Sequence, residues 1–187
     1  MAHLPAELFH DWHDFFVLVG TASATLVGLM FVAASIGSSY FNEDHAAAMQ
    51  TFLTPTVVHF VAVLMVCLLC TIPNHSWVTL SVLLGAEGIA GAIYCGSILL
   101  QFTLQHRFKV DLGDRLFYAA LPALGYLLLI ATAALLMMQS SAAPDVIAAA
   151  LLTLMVASLR NAWDMTLWIV IKAPTVGPPP DGGGTSP

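Results

Sequence analysis

Four titratable side chains interrupt long apolar runs of this 187-residue chain: His59, Glu87, Arg160 and Asp164, with Asn161 beside the last two. A charge at the centre of a bilayer costs about 3 kcal/mol on insertion scales, so ionisable residues in such runs need a partner or a task. Arg160 and Asp164 are spaced i, i+4, close enough to pair on one helix. That leaves Glu87 as the unpaired acid unless Arg160 bridges both carboxylates or Glu87 is protonated. A carboxylate and an imidazole at mid-membrane depth are the groups that a proton- or cation-handling site uses. The alternative is a buried polar clasp that fixes how the helices carrying them pack.

A second polar set lies near the N-terminus. His3, Glu7, His10 and Asp14 recur at spacings of four, three and four, which places them on one face of a helix, with Asp11 and His13 flanking. Imidazoles and carboxylates can bind zinc or another divalent metal, and Glu7-x-x-His10 has the spacing used in di-iron bundles. A surface helix also needs a polar face merely to meet water.

Cys67 and Cys70 have the C-x-x-C spacing of thiol oxidoreductases, and Cys95 is the third cysteine. No cation lies nearby in sequence to favour a thiolate, and cysteine is a common small filler of buried helices. The chain has no phosphate loop, no G-x-S-x-G elbow, no H-E-x-x-H and no dinucleotide fingerprint. His45 and His106 lie in connections without a visible catalytic partner, and only His59 is a histidine within an apolar run, which does not suit a bis-histidine haem. The reading is non-enzymatic, with no cofactor.

The elements that position these residues follow from composition. Apolar residues make up 59% of the chain and charged ones 9%, against about 45–50% and about 25% in soluble domains. Sixteen charged groups cannot cover the surface of a 19.9 kDa globule. The net charge of −6 and the absence of Lys and Arg before Arg107 exclude nucleic acid as a partner. Five stretches reach the roughly 20 residues needed to cross a membrane: Phe15–Ile36, Thr54–Ile72, Trp77–Leu100, Leu116–Met138 and Val146–Ile171. Long runs without alternation cross as helices, because lipid offers the backbone no partner. The expected fold is an all-α, polytopic transmembrane bundle of about five helices.

Counted from the ends of these spans, Glu87, Arg160 and His59 differ in depth by about 6 Å, so inward-facing side chains would meet near the midplane. Thr54-Pro55 reads as a cap and first helical position, or, if the helix begins near Asp44, as a kink. Ser76 is a candidate cap for the third span, Ala143-Pro144-Asp145 opens the fifth, and Pro122 is expected to bend the fourth near Tyr118. Gly20-x-x-x-Ala24-x-x-x-Gly28 and Gly88-x-x-x-Ala92-x-x-x-Gly96 each put three small residues on one face, for packing within the chain or between subunits.

Arg107, Lys109 and Arg115 share a connection and Lys172 closes the fifth span, so all four fall on one side. The positive-inside rule makes that side cytoplasmic and puts the N-terminus outside. Trp12 and Trp77 then mark the outer interface, and Tyr40, Phe117, Tyr118 and Trp168 the inner one. The start, Met1-Ala-His-Leu-Pro, lacks a cationic signal region, so the first span is expected to be retained. Residues 1–14 read as an amphipathic interfacial segment, residues 15–172 as the transmembrane domain, and residues 173–187 as a disordered Pro/Gly-rich tail.

Trp12-His-Asp-Phe-Phe, the run Ala24-Thr-Leu-Val-Gly-Leu-Met-Phe-Val-Ala-Ala-Ser-Ile36 and Arg160-Asn-Ala-Trp-Asp164 resemble segments of small bacterial integral membrane proteins. The resemblance covers about a quarter of the chain and implies a bacterial inner-membrane setting, but it carries no activity. The expected role is a non-enzymatic membrane scaffold or regulatory component, with the bilayer and a second copy or another membrane protein as partners. The alternative is an oligomeric channel or a proton- or cation-coupled carrier that uses the polar cluster.

Overall fold

The computed structural model describes residues 9–38, 43–73, 76–104 and 116–172, with no strand among them. Five long helices dominate: α1 (His13–Ser38), α2 (Glu43–Thr71), α3 (Trp77–Leu104), α4 (Leu121–Met137) and α5 (Ala143–Lys172). Each contains a stretch long and apolar enough to cross a membrane: His13–Ser35, Thr54–Thr71, Trp77–Leu100, Phe117–Met137 and Ala143–Leu167. These are the lengths and compositions of a multi-pass membrane protein.

The helix ends follow local chemistry. The Ser76 hydroxyl accepts the Thr79 backbone N–H at 3.0 Å and caps α3. Helix α2 begins at Glu43, so Pro55 lies inside it rather than at its start. Before α4, Pro122 has no N–H to offer the Tyr118 carbonyl, and residues Leu116–Ala120 form a π-helical turn where a bend was expected. Gln139 closes α4 in the left-handed region (φ 53°). There the Ser140 N–H reaches back to the Leu135 carbonyl at 2.9 Å, the bond that satisfies a helix C-terminus.

Around the core, α1 packs on α2, α2 on α5, α5 on α4 and α4 on α3, while α2 and α3, though consecutive, meet only lightly. Helices α2, α3, α4 and α5 therefore surround a common interior. Leu80, Leu84, Leu129, Leu136, Ile147, Leu151 and Leu154 fill much of it. A second, smaller patch joins Met30 of α1, Phe60 of α2 and Ala162 of α5.

The N-terminal segment departs from a continuous surface helix. A turn at Asp11–Trp12 precedes α1, and Phe9 is buried in the core cluster with its ring 5.7 Å from that of Phe16. Residues 1–8 and 173–187, and with them the tail and most of the N-terminal segment, lie outside the described residues.

Candidate functional site

His59 projects from α2 into the interior and is fully buried. Its Nδ1 lies 2.8 Å from the Tyr126 hydroxyl on α4. The His59 ring also stands 6.1 Å from the ring of Tyr94 on α3, edge to face. One imidazole thus ties together three helices. Glycine makes the arrangement possible: a Cβ on Gly91 would clash with the Tyr126 ring, and one on Gly88 would come within 3.0 Å of the Tyr126 carbonyl and the Ile130 backbone nitrogen. The closeness of α3 to α4 at Gly91 is what lets the tyrosine ring lie between helices and reach across to α2.

The five polar residues singled out by sequence do not form one contact set. Arg160 and Asp164 pair at 3.0 Å, but on the outside of the bundle, where their side chains are 50% and 28% exposed. The Arg160 guanidinium also stands 5.6 Å from the centre of the Phe117 ring. Asn161 is buried, and its Nδ2 donates to the Phe117 carbonyl at 3.2 Å. Phe117 opens the fourth span, so this trio sits at the end of the bundle rather than at mid-depth. Glu87 does stand near the middle of its span. It is half-buried and has no hydrogen-bond or ion-pair partner among the described residues.

Three buried polar atoms are left without a partner among the described residues: His59 Nε2, Ser158 Oγ and Asn161 Oδ1. Other buried hydroxyls are satisfied. Ser23 donates to the Phe60 carbonyl at 2.6 Å, Ser81 to the Ala133 carbonyl at 2.7 Å and Thr132 to the Leu128 carbonyl at 2.9 Å. An orphaned buried polar atom costs roughly 1–3 kcal/mol, so three in one region stand out. Tyr94, Tyr126 and Ser158 were not legible as site residues. Within apolar spans an aromatic or a lone serine looks like ordinary packing.

The small-residue faces divide along their length. Gly20 lies against Cys67, whose Cβ is 3.0 Å from where a Cβ on Gly20 would stand, and Gly88 lies against α4, while Gly28 and Gly96 border open space. Ala24 is exposed and Ala92 half-buried. The cysteines are free thiols, Cys67 and Cys95 buried and Cys70 half-buried. Of the N-terminal set, His3 and Glu7 lie outside the described residues. His10 Nδ1 lies 3.5 Å from its neighbour Asp11, both side chains exposed, and the turn at Asp11–Trp12 separates His10 from Asp14. Among the described residues, no three His, Cys, Asp or Glu side chains converge as a metal site. No protein-family model, curated protein or solved structure matches the chain.

Proposed function

We propose that the protein is a non-enzymatic integral membrane component that scaffolds or regulates a membrane partner through the exposed face of α3 that Glu87 borders. The observation that carries this reading is a carboxyl ten residues from Trp77 and thirteen from Leu100, the ends of its span, with no hydrogen-bond or ion-pair partner among the described residues. Burying such a group in lipid is costly, and a donor from a neighbouring helix removes the cost. The neighbouring surface suits a helix: Ala90, one turn after Glu87, is small and exposed, and Leu83, one turn before it, stands out from the bundle. A small residue lets backbones approach, and the branched side chain supplies contact area.

The setting proposed is a bacterial inner membrane, N-terminus outside and C-terminus cytoplasmic. The hydrogen bond from Asn161 to the Phe117 carbonyl supports it: it brings the C-terminal part of α5 beside the start of the fourth span. The basic residues flanking both places then share one side, as the positive-inside rule requires.

A photoreactive amino acid at Ala90, in the full chain in its native membrane, tests the contact. It should crosslink to protein, whereas the same group at Leu127, exposed on α4, should crosslink to lipid. Glu87→Gln keeps a hydrogen-bonding group and should preserve the Ala90 adduct; Glu87→Leu should abolish it. Lipid adducts alone at Ala90 in the unsubstituted chain would overturn the reading.

A further inference from the structure

The three orphaned polar atoms share a place as well as a lack of partners. On α5, Leu154 faces α4, since it stands against Gly125, and Ala162 faces α2 and α1 through Phe60 and Met30. At 100° per residue, Ser158 falls about 40° from each, so it points between α4 and α2. That is the gap which His59 crosses to reach Tyr126. Depth agrees with direction. Leu154 is level with Gly125 and Asn161 with Phe117, so Ser158 lies between those levels and one turn from Asn161. All three residues are completely buried.

Beyond Tyr126, towards the Trp77 end, the interior changes character. Leu84, Leu129, Leu136, Ile147 and Leu151 are completely buried, and the hydroxyls of Ser81 and Thr132 are occupied by backbone carbonyls. Among the described residues, the orphaned polar atoms therefore belong to the Phe117 end. We infer that His59 Nε2, Ser158 Oγ and Asn161 Oδ1 line a narrow file of water that enters from the Phe117 end of the bundle and stops at His59, sealed from the other end by the leucine-rich core. Water suits the donor set. The Asn161 oxygen accepts, the serine hydroxyl donates or accepts, and the imidazole nitrogen does one or the other by tautomer. A buried water typically makes about three hydrogen bonds to groups left unpaired in just this way. Among the described residues, the carboxylate next along α5 from Asn161, Asp164, is bonded to Arg160 on the outside of the bundle, and no three His, Cys, Asp or Glu side chains converge as a metal site. The file would let water, and with it a proton, reach His59 from one side of the membrane only. It does not depend on the role proposed for Glu87.

Silver ion, small and thiol-reactive, tests the file in the full chain reconstituted in phosphatidylglycerol–phosphatidylcholine vesicles, with Cys67, Cys70 and Cys95 replaced by Ala. Ser158→Cys and Asn161→Cys should react about tenfold faster or more than Leu151→Cys, because bringing an ion into a dry core costs several times the 1.4 kcal/mol that one factor of ten represents. The reaction should occur from one vesicle face. Equal protection of all three thiols overturns the inference. Radiolytic hydroxyl-radical labelling needs no substitution and reads the same contrast in the natural chain. Oxidation at Tyr126 and Leu154, each relative to the rate of the free amino acid, above that at Leu129 and Leu151 on the same scale supports the file, and equal relative oxidation contradicts it.

Discussion

The two ends of the bundle interior are built from different materials. Towards Trp77, leucine and isoleucine fill the space between α3, α4 and α5, and each buried hydroxyl there donates to a backbone carbonyl. Towards Phe117, the same four-helix interior holds an imidazole, a serine and an asparagine, each with one unmet polar atom. Dispersion and close packing secure the first region and leave nothing for solvent. The second is polar enough to hold water and is bounded by a π-helical turn, a feature frequent at functional sites. The difference teaches that a uniformly apolar composition hides an interior whose buried polar groups are paired at one end and unpaired at the other.

The largest expected effect lies in the dry region. Leu151→Ala should cost about 3 kcal/mol, the usual range for a fully buried leucine, read as a fall in thermal midpoint in detergent. It should also make neighbouring thiols more reactive by thinning the seal. At the boundary, Gly91→Ala should cost about 2 kcal/mol through overpacking, because its methyl group displaces the Tyr126 ring. A changed Tyr126 environment, seen by near-ultraviolet circular dichroism, would accompany it. The smallest effect sets the two serines against each other. Ser81→Ala removes a made hydrogen bond and should cost about 1 kcal/mol, whereas Ser158→Ala has no protein partner to lose and should stay within about 0.5 kcal/mol. Equal losses at the two serines would erase the distinction between the ends.

Much of the architecture was legible in the sequence because lipid imposes simple rules. Long apolar runs had to be helices, and the spans start and stop within a few residues of where the runs do. The Ser76 cap and the Arg160–Asp164 pair followed from local spacing, which a helix enforces without tertiary help. Helix rotation was not legible. In a soluble helix the polar face reveals which side is buried, but here the outward side is as apolar as the inward one. Leu152, Val156, Leu159 and Trp163 are exposed beside Arg160, while Leu151, Leu154 and Ala157 are buried. Spacing alone therefore could not say that Arg160 faces out and Asn161 in. The partnership of His59 with Tyr126 depends on a long-range approach between α3 and α4, so it could not be read from either residue's neighbours.

Water-edited solid-state nuclear magnetic resonance of the natural chain in bilayers tests the central contrast most directly, by following magnetisation from water into side chains. Early transfer to the His59 ring and to Ser158, with Leu151 and Leu129 lagging behind, is the result predicted. Transfer that reaches His59 and Ser158 no sooner than those leucines would contradict it.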